Sequence, residues 1–206
     1  MPGSVAAGKQ TKVGVLGGTF DPVHNGHVAI ARAVRDELGL DVVLFVVVAD
    51  QWLRENPPAA PAGDRFRMVE LALENLPGFA ASDVDIARGG STYTVDTLAD
   101  LREKLGEAAE LSLVVGADSA ISMDRWIHAE RIQALARVVA VGRPGLAFDG
   151  ESLSEAHPAK GAVYVEGPMI DISATTIRGL VRAGKPVTGL VSDRVADYIR
   201  DRGLYR

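Results

Sequence analysis

Short apolar runs alternate with longer amphipathic stretches along this chain. Runs of strand length occur at Lys12–Leu16, Val42–Val48, Ala81–Ile86, Leu111–Val115, Val138–Val141 and Ala162–Val165, several of them apolar at every position. A strand covered on one face would alternate apolar with polar residues, so continuous runs point to strands buried on both faces. Between them the spacing is helical. Gly26 to Leu38 is amphipathic and closes at Gly39, and Asp64 to Leu76 opens on a residue suited to capping and stops before Pro77-Gly78. Tyr93 to Leu105 places Val95, Leu98 and Leu101 on one face and ends at Gly106. This alternation predicts an α/β fold, a doubly wound parallel sheet with helices on both sides. From Pro168 onward the pattern changes to a C-terminal helical appendage: a helix from about Ser173 to Ala183, a turn at Gly184-Lys185-Pro186, and a helix from about Ser192 to Arg202.

A chain of 206 residues suits one domain, expected here over residues 12–206 with 168–206 as its helical part. Met1 to Thr11 lacks the apolar segment of a signal peptide and is expected to be a disordered tail. Two loops are long. Asp50–Gly63 carries three prolines with Trp52 and Arg54 and reads as a lid, the competing reading being a tryptophan folded onto the core edge. Arg143–Gly161, with His157, reads as a connector. Val42–Ala49, the strongest apolar run, is less than half of the about 20 residues needed to span a bilayer. A net charge of −5 argues against a broad nucleic-acid or membrane surface, so any phosphate contacts must be local. The absence of cysteine excludes disulfides and zinc-thiolate sites and is compatible with a cytoplasmic location.

The chemistry concentrates at Gly17 to His27, GGTFDPVHNGH, which joins the first strand to the first helix. Gly17 and Gly18 let a ligand approach the backbone, and Pro22 fixes the next bend. His24 and His27 flank Gly26 at the expected helix start, where amide N–H groups lack intrahelical partners and the dipole is positive, so a phosphate fits there. Two other readings compete: an HxxH metal pair, for which Asp21 is the sole nearby carboxylate, and a tight turn whose histidines merely cap a helix. Much later, Asp171-Ile-Ser-Ala-Thr-Thr-Ile-Arg178 sets Ser173 as an N-cap and Arg178 near the positive end of a helix dipole, where a bound anion would offset its unfavourable position.

The first stretch resembles the GGTFDPxHxGH signature of the nucleotidylyltransferases that carry an HxGH motif, and Ile172–Arg178 resembles their ISxTxxR signature. Gly116-Ala-Asp-Ser119, Trp126, the Tyr93-Thr-Val-Asp-Thr97 run and the ending Tyr198–Arg206 resemble the nicotinate-nucleotide adenylyltransferase branch. The similarity runs from about Val13 to the last residue. It implies a Rossmann-like sheet with the first strand central and a crevice at the strands' carboxyl ends.

The resemblance also implies a reaction, in which nicotinate mononucleotide attacks the α-phosphorus of ATP, giving nicotinate adenine dinucleotide and pyrophosphate in NAD biosynthesis. Its catalytic residues would be His24, His27 and Arg178. Gly17, Gly18, Thr19, Phe20, Gly26, Ser173 and Thr175 would bind ATP, and Tyr93, Thr94, Asp118, Trp126 and Arg54 the mononucleotide. Mg²⁺ would arrive with ATP rather than in a protein cage, no metal ligands being assigned. One departure is Gln51-Trp-Leu-Arg54, which offers arginine where many members have a loop lysine. Nicotinamide mononucleotide or phosphopantetheine as acceptor, and a regulatory nucleotide-binding module without turnover, are the alternatives. A homo-oligomer is left open.

Overall fold

The computed structural model describes residues 10–49, 57–106, 108–142 and 148–206. Among them six strands form one parallel sheet: β1 (Thr11–Gly18), β2 (Val42–Val47), β3 (Phe79–Ser82), β4 (Ala109–Gly116), β5 (Arg137–Gly142) and β6 (Val163–Glu166). The helices are α1 (Asn25–Leu38), α2 (Ala62–Leu73), α3 (Val84–Arg88), α4 (Thr94–Leu105), α5 (Ala117–Ile121), α6 (Ile132–Leu135), α7 (Ala174–Arg182) and α8 (Asp193–Asp201). Strand order is β3-β2-β1-β4-β5-β6, with β1 paired in parallel to both β2 and β4. This is the doubly wound Rossmann-like order, and the chain reverses its direction of travel across the sheet between β1 and β4. A crevice opens there, beyond the strands' carboxyl ends.

The continuous apolar runs are explained by cores on both faces. In β5, Val139 and Val141 join one cluster while Val138 and Ala140 join the other. The first cluster receives Ala31 and Val34 of α1, Met68 and Val69 of α2, and Ile177, Val195 and Ile199 of α7 and α8. The second receives Leu98 and Leu101 of α4 and Ile132 of α6. The C-terminal helices therefore share a core with α1 and α2 on one face of the sheet.

Two elements differ from the pattern reading. Ala81–Ile86 is not one strand: β3 ends at Ser82, and Val84–Arg88 is helical. The parallel register stops at the Val46–Ser82 pair, so the residues beyond have no ladder to join, and Val84 turns into the second core. A short buried apolar run does not distinguish the two states by its period. Asp64 does not cap α2, which begins at Ala62 after Pro61. Its carboxylate instead accepts hydrogen bonds from the Tyr198 hydroxyl at 2.8 Å and Arg202 Nε at 3.3 Å, tying α8 to α2. The same helix stops at Leu73, short of the expected Leu76, and Asn75 follows with φ 104°. Elsewhere the caps are as expected: Gly39 is left-handed, with φ 59°, and Ser173 and Ser192 accept hydrogen bonds from Thr176 N and Val195 N.

Of the two long loops, Trp52 and Arg54 lie outside the described residues, and the lid reading of Asp50–Gly63 with them. The described part of the second loop packs against the domain. His157 Nε2 lies 3.1 Å from the Ile121 carbonyl and Ala159 is fully buried.

Because α8 contributes to a core shared with α1 and α2, Ile199→Ala is expected to destabilise the whole domain by about 2–5 kcal/mol. Urea unfolding followed by circular dichroism and by tryptophan fluorescence should show one coincident transition shifted to lower urea. Two separated transitions would mean that the helical end folds on its own.

Candidate active site

The Gly17–His27 stretch leaves the end of β1 and enters α1. A Cβ on Gly17 would meet nothing within 4 Å, so its backbone faces open space, whereas one on Gly18 would lie 2.8 Å from the Phe20 ring. Glycine at 18 thus allows Phe20 to fold back. Phe20, with φ 47°, is buried against Phe45 and meets the His27 ring edge-on at 5.0 Å between centroids.

His24 is the N-cap residue of α1 and His27 lies in its first turn. The His24 N–H donates to His27 Nδ1 at 3.2 Å, and the two rings stack with centroids 3.6 Å apart. Gly26 makes room for this arrangement, since a Cβ there would approach His24 Nδ1 to 3.0 Å. Burial lowers His24 to a pKa of about 4; burial and then the neighbouring His24 lower His27 to about 3. Both rings are neutral at pH 7. With its Nδ1 accepting, His27 carries its proton on Nε2, which is then its donor. His24 Nδ1 is buried without a hydrogen-bond partner.

Arg178 reaches this loop from α7. Its Nη1 donates to the Asp21 carbonyl at 2.7 Å and lies 3.9 Å from Asp21 Oδ2, and its Nη2 donates to Thr175 Oγ1 at 3.3 Å. The two signature stretches, 157 positions apart, are therefore joined directly. Ser173 caps α7 through Thr176 N at 3.1 Å, and Thr175 is exposed beside Arg178.

Two buried polar residues that the sequence pattern did not single out fix the loop. Arg65 of α2 is 1% exposed; its guanidinium donates to the carbonyls of Ala60, Thr19, Val48 and Ala49 at 2.7–3.1 Å. It ties the ends of β1 and β2 to the start of α2. Tyr205, next to the last residue, donates to Asp21 Oδ1 at 2.8 Å. A cation on the Met68-Val69 face of α2 is the trace of Arg65 in the sequence. Tyr205 is marked only as part of the Tyr198–Arg206 ending.

A cavity of about 240 Å³ opens beside this loop, between the ends of β1 and β4. Gly17, Gly18, Tyr93, Thr94 and the half-buried Trp126 line it, as do Gly116 and Ser119. Thr94 is the first residue of α4, so amide N–H groups of that helix start border the cavity. Asp118 is not among the lining residues: it is exposed in the first turn of α5, where its carbonyl accepts from Ser122. Asp85 and Thr92 do line the cavity, and Asp85 Oδ2 and Thr92 Oγ1 are buried without a protein partner. Asp85 Oδ1 accepts from Thr97 Oγ1 at 2.6 Å and from Arg88 at 2.7 Å; burial raises the carboxyl's pKa while these partners oppose the rise. Asp85 lay inside the run read as a strand, which concealed it. Among the described residues, no group of three or more His, Asp or Glu side chains could hold a metal ion, and no helix is long and apolar enough to cross a membrane.

The histidine pair also couples folding to pH. Each folded pKa lies below the unfolded value of 6.5, so the unfolded chain binds more protons between those values and stability falls as pH drops from about 6.5 towards 4. His27→Gln should flatten that dependence by up to about 1.4 kcal/mol per pH unit. Urea unfolding of both proteins at pH 7 and pH 5 measures the difference; parallel slopes would exclude a buried neutral His27.

Residues 15–180 match the family model described as cytidylyltransferase-like. A probable nicotinate-nucleotide adenylyltransferase of Saccharopolyspora erythraea is 44% identical over 199 residues, covering 96% of this chain and 91% of the relative. A protein of the same description from Dehalococcoides mccartyi is 39% identical over 197 residues, covering 94% and 97%. Among solved structures, Plasmodium falciparum nicotinic acid mononucleotide adenylyltransferase complexed with NaAD superimposes with a TM-score of 0.74 over 95% of this chain and 97% of that one, at 15% identity. That likeness concerns the fold.

Proposed function

We infer, for a chain that belongs to the nicotinate-nucleotide adenylyltransferase family, that it transfers AMP from ATP to nicotinate mononucleotide, producing the dinucleotide and pyrophosphate in NAD biosynthesis. One observation carries the reading: Gly17-Gly18 borders the cavity and also begins the loop that leads to His24, His27 and Arg178. A mononucleotide in the cavity and a triphosphate on the loop would meet at those glycines.

The 5′-phosphate of the mononucleotide, with a second pKa near 6, is largely dianionic at neutral pH and needs no protein base. Its oxygen forms a bond to the α-phosphorus as the bond from that phosphorus to the α,β-bridging oxygen breaks, and pyrophosphate leaves with the electron pair. The protein aligns two anions and stabilises charge on the transferring and leaving oxygens. The starts of α1 and α7 offer positive dipole ends, α1 with its Gly26 N–H since Asn25 N–H is held by the Leu190 carbonyl, His27 donates from Nε2, and Arg178 supplies the positive charge for the β- and γ-phosphates. Gly17, Gly18, Thr19, Phe20, Gly26, Ser173 and Thr175 complete the ATP site. Mg²⁺ enters as MgATP, held by phosphate oxygens.

In the cavity, Trp126 stacks on the pyridine ring and the N–H groups at the start of α4 receive the ring carboxylate, which gains more from a helix dipole than an amide does. Tyr93 and Thr94 hold that corner. Arg54, outside the described residues, serves the mononucleotide phosphate, and Asp118, exposed beside the lining residue Ser119, meets a ribose hydroxyl from outside the cavity lining. The substrates and the cysteine-free composition fit a cytoplasmic enzyme.

Purified protein with MgATP should form dinucleotide and pyrophosphate in equal amounts with nicotinate mononucleotide, and far more slowly with the amide. Absence of product with the acid would sink the assignment. His27→Ala or Arg178→Ala should lower turnover by about 10²–10³ without unfolding the chain; turnover within threefold of the parent would remove that residue from the mechanism. Trp126→Ala should raise the KM for the mononucleotide well above any change in the KM for ATP. Equal changes would make Trp126 a structural residue.

A further inference from the structure

The last turn of the chain ends inside the site. After α8, Gly203 takes φ 62° and Leu204 N–H donates to the Ile199 carbonyl at 3.0 Å, which turns the chain back. Tyr205, itself left-handed with φ 64° and 9% exposed, enters the core cluster that contains Phe20 and Ile177. Its hydroxyl donates to Asp21 Oδ1. The same carboxylate accepts from Ala60 N at 3.1 Å and, through Oδ2, from Ala59 N at 2.7 Å. The Asp21 carbonyl meanwhile receives Arg178.

Asp21 thus meets Arg178 with its carbonyl and, at 3.9 Å, with Oδ2, the oxygen that also accepts from Ala59 N. The segment before α2 and the chain end grip its side chain; the guanidinium assigned to the leaving phosphates is held by its main chain. Tyr205 fixes the rotation of the Asp21 carboxylate, whose Oδ2 lies 3.9 Å from Arg178 Nη1, so turning that carboxylate changes the charge facing the guanidinium.

We propose that Tyr205 is a positioning residue for adenylyl transfer: through Asp21 it sets where the Arg178 guanidinium stands for the triphosphate. Phe at this position would fill the same core volume, while a residue without the hydroxyl leaves Asp21 free to rotate about its remaining two N–H contacts. Burial and the adjacent Asp21 raise the phenol above its ordinary pKa, so it is a donor throughout the neutral range. The Asp21 contact was not visible in the sequence, where Tyr205 appears only within the Tyr198–Arg206 ending that carries part of the resemblance.

The inference rests on the reading of Arg178 as an ATP ligand, and equilibrium binding of MgATP to the full chain tests it without requiring any acceptor to react. Tyr205→Phe should fold as the parent does, because Asp21 Oδ1 keeps the Ala60 N–H and the ring stays in the core. MgATP binding, measured by calorimetry, should weaken by about tenfold, the scale of one hydrogen bond to a charged group. Binding of nicotinate mononucleotide to the cavity should be unchanged, which a general loosening of the domain would not give. Introduced into Arg178→Ala, Tyr205→Phe should weaken MgATP binding by less than about twofold more, because the two residues then act through one path. Parent-like MgATP affinity in Tyr205→Phe, or losses that multiply in the double variant, would overturn the proposal. If Arg178→Ala alone leaves MgATP affinity intact, the proposal falls too. Failure of the acceptor assignment would show separately, as absence of mononucleotide binding with MgATP binding intact.

Discussion

A phosphate-binding loop must present backbone donors to an anion while its own carbonyls and side chains are held away from it. In this protein that constraint is met by two buried polar residues. Asp21 accepts from Ala59 N, Ala60 N and the Tyr205 hydroxyl, and Arg65 donates to carbonyls of Thr19, Val48, Ala49 and Ala60. Ala60 takes part in both, its N–H on Asp21 and its carbonyl on Arg65. The segment before α2 is therefore clamped between a carboxylate of the loop and a guanidinium of the helix. Removing either partner would strand buried polar groups, each costing about 1–3 kcal/mol, so loop geometry and fold stability are not separable here. The glycines at 17, 18 and 26 depend on this clamp, because their freedom is useful to a ligand once the rest of the loop is fixed.

An acidic chain that binds two polyanions needs its positive potential to be local. Here much of it comes from the backbone rather than from excess lysine or arginine. The starts of α1, α4 and α7 follow the crevice end of the sheet, and Arg178 ties the start of α7 to the loop before α1. The histidines follow the same logic. Stacked at 3.6 Å and desolvated, they are neutral, and a neutral imidazole beside a helix start avoids the repulsion an imidazolium would meet from the dipole. His27 keeps an Nε2–H able to donate a hydrogen bond.

Much of the architecture could be read from pattern because both faces of the sheet are buried, so that β1, β2, β4 and β5 appear as unbroken apolar runs and the helices between them as amphipathic ones. The parallel order and the crevice follow from that alternation and from the resemblance of the Gly17–His27 stretch. Legibility failed where a run was short or a contact distant. Val84–Arg88 was concealed in an apolar run because four to six residues do not separate strand from helix. Asp64 looked like a cap and is a tertiary partner of Tyr198, 134 positions away. Of the site, the glycines, His24, His27 and Arg178 were marked by motif, and Tyr93, Thr94 and Trp126 meet in one cavity as the resemblance implied. Asp118 lies outside its lining, Asp85 and Thr92 had no local signal, and Arg65 and Tyr205 were marked only as a cation on an apolar helix face and as part of the Tyr198–Arg206 ending, since long-range hydrogen bonds do not show their partners in sequence.

The distribution of these residues explains how one sheet accommodates two substrates. The acceptor cavity is walled by the second core, through α4 and Trp126, while the loop, Arg178 and Tyr205 pack on the first. β1 lies between the two cores, and its last residues, Gly17 and Gly18, have no side chains to separate them. On the proposed reading each half-site is shaped by its own helices, and Gly17 and Gly18 stand where the two meet. That division, on the same reading, gives acceptor choice to α4 and Trp126 and phosphate chemistry to α1, α7 and Arg178.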